Sequence, residues 1–449
     1  MKKVNLKIGL FIRMRKFLTA KKRESAANQK ELNRAIELVK KSDLDLLVFP
    51  ESAWYYDGEL SEAERKEIAQ SISRETGKAV IIGVKSDNKI FNIYANANAS
   101  GGDSKEACYV KHTMTTFSSF DESGYQKELN ANFPVIKLKG VKIGMTICYD
   151  CNHAPFSRVY GKQGVDVIIN NSGKDVDYGK WYKYNKTRAI ENNCYTLMVD
   201  GYLFDAGDDQ GAYALGYNPN GKELPCVGLK SKQTITKQKS TYDLGEVYVF
   251  DLSKDDGGES ADITLDQRET VNKFENIFVP VGNSSDLLKK AKKLRENLYV
   301  LPHRYTQEKK SYSCNVVFCV VEGNDIVLPE KVLPLLYADE LESVKDKRYI
   351  IVNRHKKIDK SFYDNKLSVL LKVRAMENYC AVLLESDNIN KCYQPTMTRG
   401  SQVVKAEKGS FGIDLNRTKG PEVIWRDKDG MKADWRKNFE WLVNRLANN

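Results

Sequence analysis

The chain has 449 residues, 41% hydrophobic and 10% aromatic, enough for two domains or for one large domain with an extension. No apolar run approaches the roughly 20 residues that span a bilayer, and the first apolar segment (LKIGLFI) is too short and too soon followed by charge for a secretory signal; a cytoplasmic location is expected. The net charge of +11 comes from 71 basic and 60 acidic residues interleaved along the chain, and the denser clusters at 13–23 and 289–295 carry no recognisable nucleic-acid motif, so neither nucleic acid nor membrane is an expected partner.

In chain order, VNLKIGLFI reads as a strand, and NQKELNRAIELVKK puts Leu32, Ile36 and Val39 on one helical face before DLLVFPE returns as a strand, a β-α-β unit. A helix over EAERKEIAQSISRETG ends near Gly77, and KAVIIGV is the next strand. NIYANANA and EACYVK are strands joined by the turn SGGD. VKIGMTICYD and VDVIINNS follow as strands flanking a segment that begins at Pro155. The helix KWYKYNKTRAIENN leads into the strand CYTLMVDG, a turn falls at Asn218-Pro219-Asn220-Gly221, and GEVYVFDLS closes the unit. The linker DDGGES then sets a boundary near residue 260, giving domains 1–260 and 261–449. The pattern predicts an α/β fold, with helices covering a large mixed sheet.

Part of this order recurs. The segment 188–194 (RAIENNC) returns as 374–380 (RAMENYC). Each copy is preceded by a similar run, VDVIINNS or RYIIVNRH, and followed by a Gly-started strand ending in Asp-Leu. Three matches in one order predict a partial duplication, with SYSCNVVFCVVEGND in the place of the 141–150 strand and Cys319 as the nearest counterpart of Cys148. The second copy lacks the polar residues that make the first interesting. The chain ends in DWRKNFEWLVNRL, which predicts an amphipathic helix with Trp435, Phe439, Leu442 and Leu446 on one face.

Three strand-like runs end in chemically complementary residues: Glu51 after DLLVFP, Lys111 after EACYV, and Cys148 after VKIGMTI. A thiol needs help to ionise at neutral pH, and an amide needs its developing oxyanion stabilised. A glutamate can take the thiol proton and later give it to a leaving amine, and a lysine ammonium with the Tyr149 N–H can hold the oxyanion. Trp54 and Tyr55 follow Glu51 closely, as substrate-pocket walls or as packing. His112 and His153 raise a lower-ranked Cys-His alternative, since His112 next to Lys111 would face the other side of a strand. Arg188 and Glu191 lie three apart on a helix, a structural pair. The nine cysteines are scattered and mostly in apolar runs, which argues for reduced thiols; Cys148 and Cys151 form one C-x-x-C pair with no second pair to complete a zinc site, so neither metal nor cofactor is expected.

FPE with Glu51, YVKHTMTTF with Lys111, ICYD with Cys148, the RAIEN helix and GYNPNGKEL together resemble the nitrilase, or carbon–nitrogen hydrolase, superfamily over about the first 255 residues. The resemblance implies an α-β-β-α sandwich with a Glu-Lys-Cys site acting on non-peptide amides, carbamoyl groups or nitriles through a cysteine thioester. It also implies a homo-oligomer, and a second glutamate after the lysine. Glu122 is the nearest candidate, with Asp121 as competitor. The chain departs from the family pattern in CYDCNHAPF, where Pro155-Phe156 reverses the usual order and no glutamate follows. Two other readings stay open: an acyltransferase using the same thioester, and an assembly or partner-binding protein, since nitrilase-like domains also occur in bacterial defence systems.

Overall fold

The computed structural model describes residues 3–13, 25–56, 58–86, 89–112, 133–173, 178–201, 212–235, 243–259, 289, 291–295, 298–307, 310–320, 349–354, 357–378, 381–396, 400–404, 406–407 and 410–411. The chain divides into two units, Met1–Ser260 and Ala261–Asn449.

The first unit runs β1 (Lys7–Ile12), α1 (Ser25–Val39), β2 (Leu46–Val48), β3 (Trp54–Tyr56), α2 (Glu62–Thr76), β4 (Ala79–Ser86), β5 (Lys89–Ala95), β6 (Glu106–Val110), β7 (Ile136–Leu138) and β8 (Val141–Ile147). A 3-10 turn (Cys148–Asn152) follows, then α3 (Ala154–Lys162), β9 (Val167–Gly173), α4 (Tyr178–Asn192), β10 (Tyr195–Gly201), β11 (Tyr213–Tyr217), β12 (Cys226–Gly228), β13 (Thr234–Ile235) and β14 (Glu246–Asp251). One sheet has the order β13-β12-β14-β1-β2-β4-β5-β6, with β3 also on β4; the other has the order β11-β10-β9-β8-β7. The expected β-α-β unit is present, with β1 and β2 parallel on either side of α1.

The layers follow from where the apolar faces go. Leu32, Ala35, Ile36 and Val39 of α1 and Ala69 and Ile72 of α2 are buried in one cluster with Leu47, Val80, Ile82 and Ile93 of the first sheet. On the second sheet, Gly144 of β8 lies under the Tyr160 ring of α3. The inner faces meet each other: Gly216 of β11 touches Phe250 of β14. This is the α-β-β-α arrangement, with the sheets covered by helices outside and by each other inside.

Local chemistry sets the boundaries. Ser61 and Glu64 form a capping box that starts α2, and Gly77 at φ 68° ends it, as its sequence position predicts. The strand expected over 92–99 stops at Ala95 because the Asn96 side chain accepts from the Asn98 N–H at 3.1 Å and turns the chain. The strand expected over 141–150 ends at Ile147, since Cys148 adopts φ 47°.

The second unit contains β15 (Lys292–Arg295), β16 (Leu298–Gln307), β17 (Lys310–Val320), β18 (Tyr349–Arg354), α5 (Ser368–Asn378), β19 (Ala381–Glu385), β20 (Asn390–Thr396) and β21 (Gly400–Val404), in one sheet of that strand order. A turn of π-helix, Tyr363–Leu367, runs directly into α5. Here β16 is antiparallel to β17, β17 parallel to β18, β18 parallel to β19, and β19 antiparallel to β20. The run β7-β8-β9-β10-β11 has the same succession of pairings, with α4 between β9 and β10 where α5 stands between β18 and β19. Both helices carry an ion pair at the same spacing: Arg188–Glu191 at 2.6 Å, buried, and Arg374–Glu377 at 2.8 Å, part-buried. Of the Gly-started strand expected near 409–415, Ser410–Phe411 is described and pairs with Ala406–Glu407. The helix expected over 434–446 lies outside the described residues.

A methyl group on Gly144 would sit 2.6 Å from the Tyr160 ring. Gly144→Ala is therefore expected to cost about 1–3 kcal/mol, read as a lower urea midpoint at unchanged slope. An unchanged midpoint would show that α3 does not pack on β8 this closely.

Candidate active site

Each candidate residue stands where a strand gives out. Glu51 lies three residues beyond β2 and Lys111 one beyond β6, both in the first sheet; Cys148 directly follows β8, in the second. The carboxyl ends of parallel strands are where backbone direction changes and side chains converge. Lys111 Nζ meets Glu51 Oε1 at 2.6 Å, with the two side chains 6% and 5% exposed. Cys148 is buried beside them, within electrostatic reach of both.

The glutamate is held by backbone. Its N–H donates to the Ser172 carbonyl of β9 at 3.2 Å, and the Arg13 Nη1 donates to the Ser52 carbonyl at 2.9 Å while its Nε pairs with Glu31 at 2.8 Å. The turn fits only because two neighbours lack side chains. A methyl on Gly83 would lie 2.4 Å from the Pro50 carbonyl, and one on Gly201 would lie 2.8 Å from the Pro50 ring. Ser52 and Cys148, next to or at the candidate positions, both have positive φ, 53° and 47°. For non-glycine residues this is strained backbone, of a kind that recurs at functional sites.

The turn that follows β8 is held from two sides. Asp150, fully buried, accepts from Tyr109 Oη at 2.9 Å, from the His112 N–H at 3.2 Å and from the Ile147 N–H at 3.2 Å. Arg188 Nε donates to the Cys151 carbonyl at 2.8 Å, so the expected structural pair with Glu191 is made and also braces this turn. Between the sheets, Asn92 of β5 donates to the Thr146 carbonyl at 3.2 Å and to Asn171 Oδ1 at 2.9 Å, and Asn171 donates to the Phe49 carbonyl. Arg188 was singled out from sequence as half of a structural pair; Asn92 and Asn171 were not singled out. The available signal was a polar residue inside an apolar run, as in NIY and IINNS.

Burial pushes the Cys148 thiol up to about 12; Glu51 adds to that, while Lys111 and the Ser172 hydroxyl oppose it. For Lys111, burial disfavours the charge, but Glu51 and then Cys148 more than offset it, so the ammonium is held above its usual range. The site thus pairs a Lys-Glu ion pair with a thiol held in its protonated form.

The remaining candidates fall as follows. Tyr149 is half-buried in the 3-10 turn after β8, edge-on to His153 at 5.1 Å. Trp54 and Tyr55 lie on β3; Trp54 packs on the core beneath α1 and α2, and the Tyr55 ring lies under Lys85 Nζ at 4.9 Å. His112 is stacked on Phe133 and Phe156, with centroids at 4.9 and 5.2 Å. Burial pushes its pKa down to about 3. Glu122 and Asp121 lie outside the described residues. Among the described residues, no group of three or more His, Cys, Asp or Glu could hold a metal ion, and no helix is long and apolar enough to cross a membrane.

The sequence model of a family described as carbon–nitrogen hydrolase matches residues 12–239, just over half of the chain. An (R)-stereoselective amidase of Pseudomonas sp. is 27% identical over 182 residues, covering 39% of this chain and 64% of the amidase, less than two thirds of its length. Omega-amidase NIT2 of Xenopus tropicalis is 23% identical over 241 residues, 47% of this chain and 83% of that protein. A crystal structure of an amidase from Nesterenkonia sp. aligns with 56% of this chain and 91% of its own, at 17% identity and a TM-score of 0.39.

Two outcomes follow from the shifted groups. Iodoacetamide labelling of Cys148 should rise about tenfold per pH unit from pH 7 to 10, without the plateau near 8.5 that an ordinary thiol gives; a plateau at or below 8.5 would show a preformed thiolate. Buried neutral His112 lies below its unfolded value of about 6.5, so the unfolded chain binds the proton first, and stability present above that pH should be lost as pH falls toward 3, by at most about 1.4 kcal/mol per pH unit. A His112→Phe variant whose acid-unfolding curve matches wild type would remove this residue from the account.

Proposed function

Because the chain belongs to the carbon–nitrogen hydrolase family, we propose that its first unit is a thiol amidohydrolase acting on a small non-peptide amide. The observation that carries this reading is the buried Lys111–Glu51 contact of 2.6 Å beside the Cys148 thiol. In the proposed reaction, Glu51 takes the thiol proton as the sulfur attacks the carbonyl carbon. The negative oxygen of the tetrahedral intermediate lies against the Lys111 ammonium and the Tyr149 N–H. The intermediate collapses by breaking the C–N bond, and ammonia or an amine leaves with the proton from Glu51. That leaves a thioester on Cys148. Water then gives a proton to Glu51 and attacks the thioester, releasing the acid and restoring the thiol. Glu122 is the proposed second glutamate that steadies this water. The names of the relatives, a stereoselective amidase and an omega-amidase, favour amides over nitriles.

The second unit is proposed as a degenerate copy of the β7–β11 part of the first. The shared succession of pairings and the repeated Arg-Glu pair support it. Cys319 stands inside β17, opposite Asn353 and one residue before the strand ends, whereas Cys148 follows the end of β8. It is therefore displaced from the place a nucleophile occupies in the first unit.

In a panel of short aliphatic and ω-amides, intact-mass spectrometry of the full chain should trap an acyl adduct on Cys148. Cys148→Ala should lower ammonia release by at least about a thousandfold. Retention of turnover in that variant would remove Cys148 as nucleophile and the amidohydrolase reading with it.

A further inference from the structure

The lysine and the nucleophile come from strands that no hydrogen-bond ladder connects: β6 is the last strand of the first sheet, and β8 lies in the second. Yet the lysine must meet an oxygen that is bonded to the carbon the sulfur attacks. An error of about 1 Å in such a placement can cost a hundredfold in rate. Something has to fix one strand end against the other.

Asp150 has the necessary connections. Its Oδ2 accepts from Tyr109 Oη at 2.9 Å and from the Ile147 N–H at 3.2 Å, and its Oδ1 accepts from the His112 N–H at 3.2 Å. Tyr109 and His112 bracket Lys111 in sequence, and Ile147 immediately precedes Cys148. One buried carboxylate thereby holds residues on both sides of the lysine and the residue before the nucleophile. We propose that Asp150 is a positioning residue that sets the Lys111 ammonium against the carbon attacked by Cys148. This rests on the reading of Lys111 and Cys148 as oxyanion holder and nucleophile.

Residue type follows from the geometry. A carboxylate offers about four acceptor sites and no donor. All three partners bring a hydrogen, so an asparagine would turn an N–H toward at least one of them. Its negative charge also adds to the groups that keep Lys111 protonated. A blander role, closing the 3-10 turn, accounts for the Ile147 bond alone. It does not account for Tyr109, which belongs to the other sheet.

Tyr109→Phe separates the two roles, since it deletes one of the two bonds that reach Asp150 from the first sheet, leaving the His112 N–H as the other, and keeps the Ile147 bond that closes the turn. Two probes report on Cys148 in the full-length chain. Acylation by p-nitrophenyl acetate passes through an oxyanion, and is read as a nitrophenolate burst absent from Cys148→Ala. Alkylation by iodoacetamide needs only the thiolate. Tyr109→Phe should slow the burst about tenfold while alkylation changes less than about twofold, and Asp150→Asn should slow the burst further, about a hundredfold. A wild-type burst rate in Tyr109→Phe, or burst and alkylation falling together in step with the folded fraction, overturns the positioning role while leaving the nucleophile assignment intact. Absence of a burst in the wild type overturns the thiol reading itself, and this inference with it.

Discussion

The structure depends on keeping a charged pair out of water. Lys111 and Glu51 touch at 2.6 Å with almost no exposure, and taking two such ions from water costs several kcal/mol each before their attraction is counted. Such a pair is poor evidence for stability, because well-packed apolar residues would usually do as well. It persists only where the surroundings determine its geometry. Here the surroundings are two sheets whose carboxyl ends are fastened by directional polar groups.

Those fastenings share a design. Asn92, Asn171, Asp150, Arg13 and Arg188 are all buried, and each reaches from one element to the backbone or side chain of another. Apolar burial supplies the bulk of the driving force that brings the layers together, but it is non-directional and tolerates sliding. Hydrogen bonds in a low-dielectric interior do not tolerate it, since each unmade one leaves a desolvated group behind. The same framework holds the positive φ at Ser52 and Cys148, and Gly83 and Gly201 leave room for the Pro50–Ser52 turn. Strain and precision thus occur at the same few residues.

The two Arg-Glu pairs make the same i,i+3 contact in the two units. In the first unit Arg188 both pairs with Glu191 and holds the Cys151 carbonyl in the turn after β8. In the second unit Arg374 and Glu377 make the same i,i+3 contact on a helix between corresponding parallel strands. A pair like this satisfies two charges locally, so breaking one partner is costly whether or not a nucleophile stands nearby. That explains why the helix motif is the most legible piece of the internal similarity.

The sequence by itself determined the order of elements, because apolar periodicity and caps such as Ser61 and Gly77 are local properties of a few consecutive residues. It also singled out Glu51, Lys111 and Cys148, because each ends an apolar run with a group that such a run does not need. Tertiary structure alone decided that Trp54 belongs to the packing beneath two helices, that the strand stops at Ile147, and that Asp150, Asn171 and Arg13 matter at all. Their partners are 38, 122 and 39 residues away in the chain. A hydrogen bond has a direction and a length of about 3 Å, and neither is written in any local window; both exist only once two sheets have met.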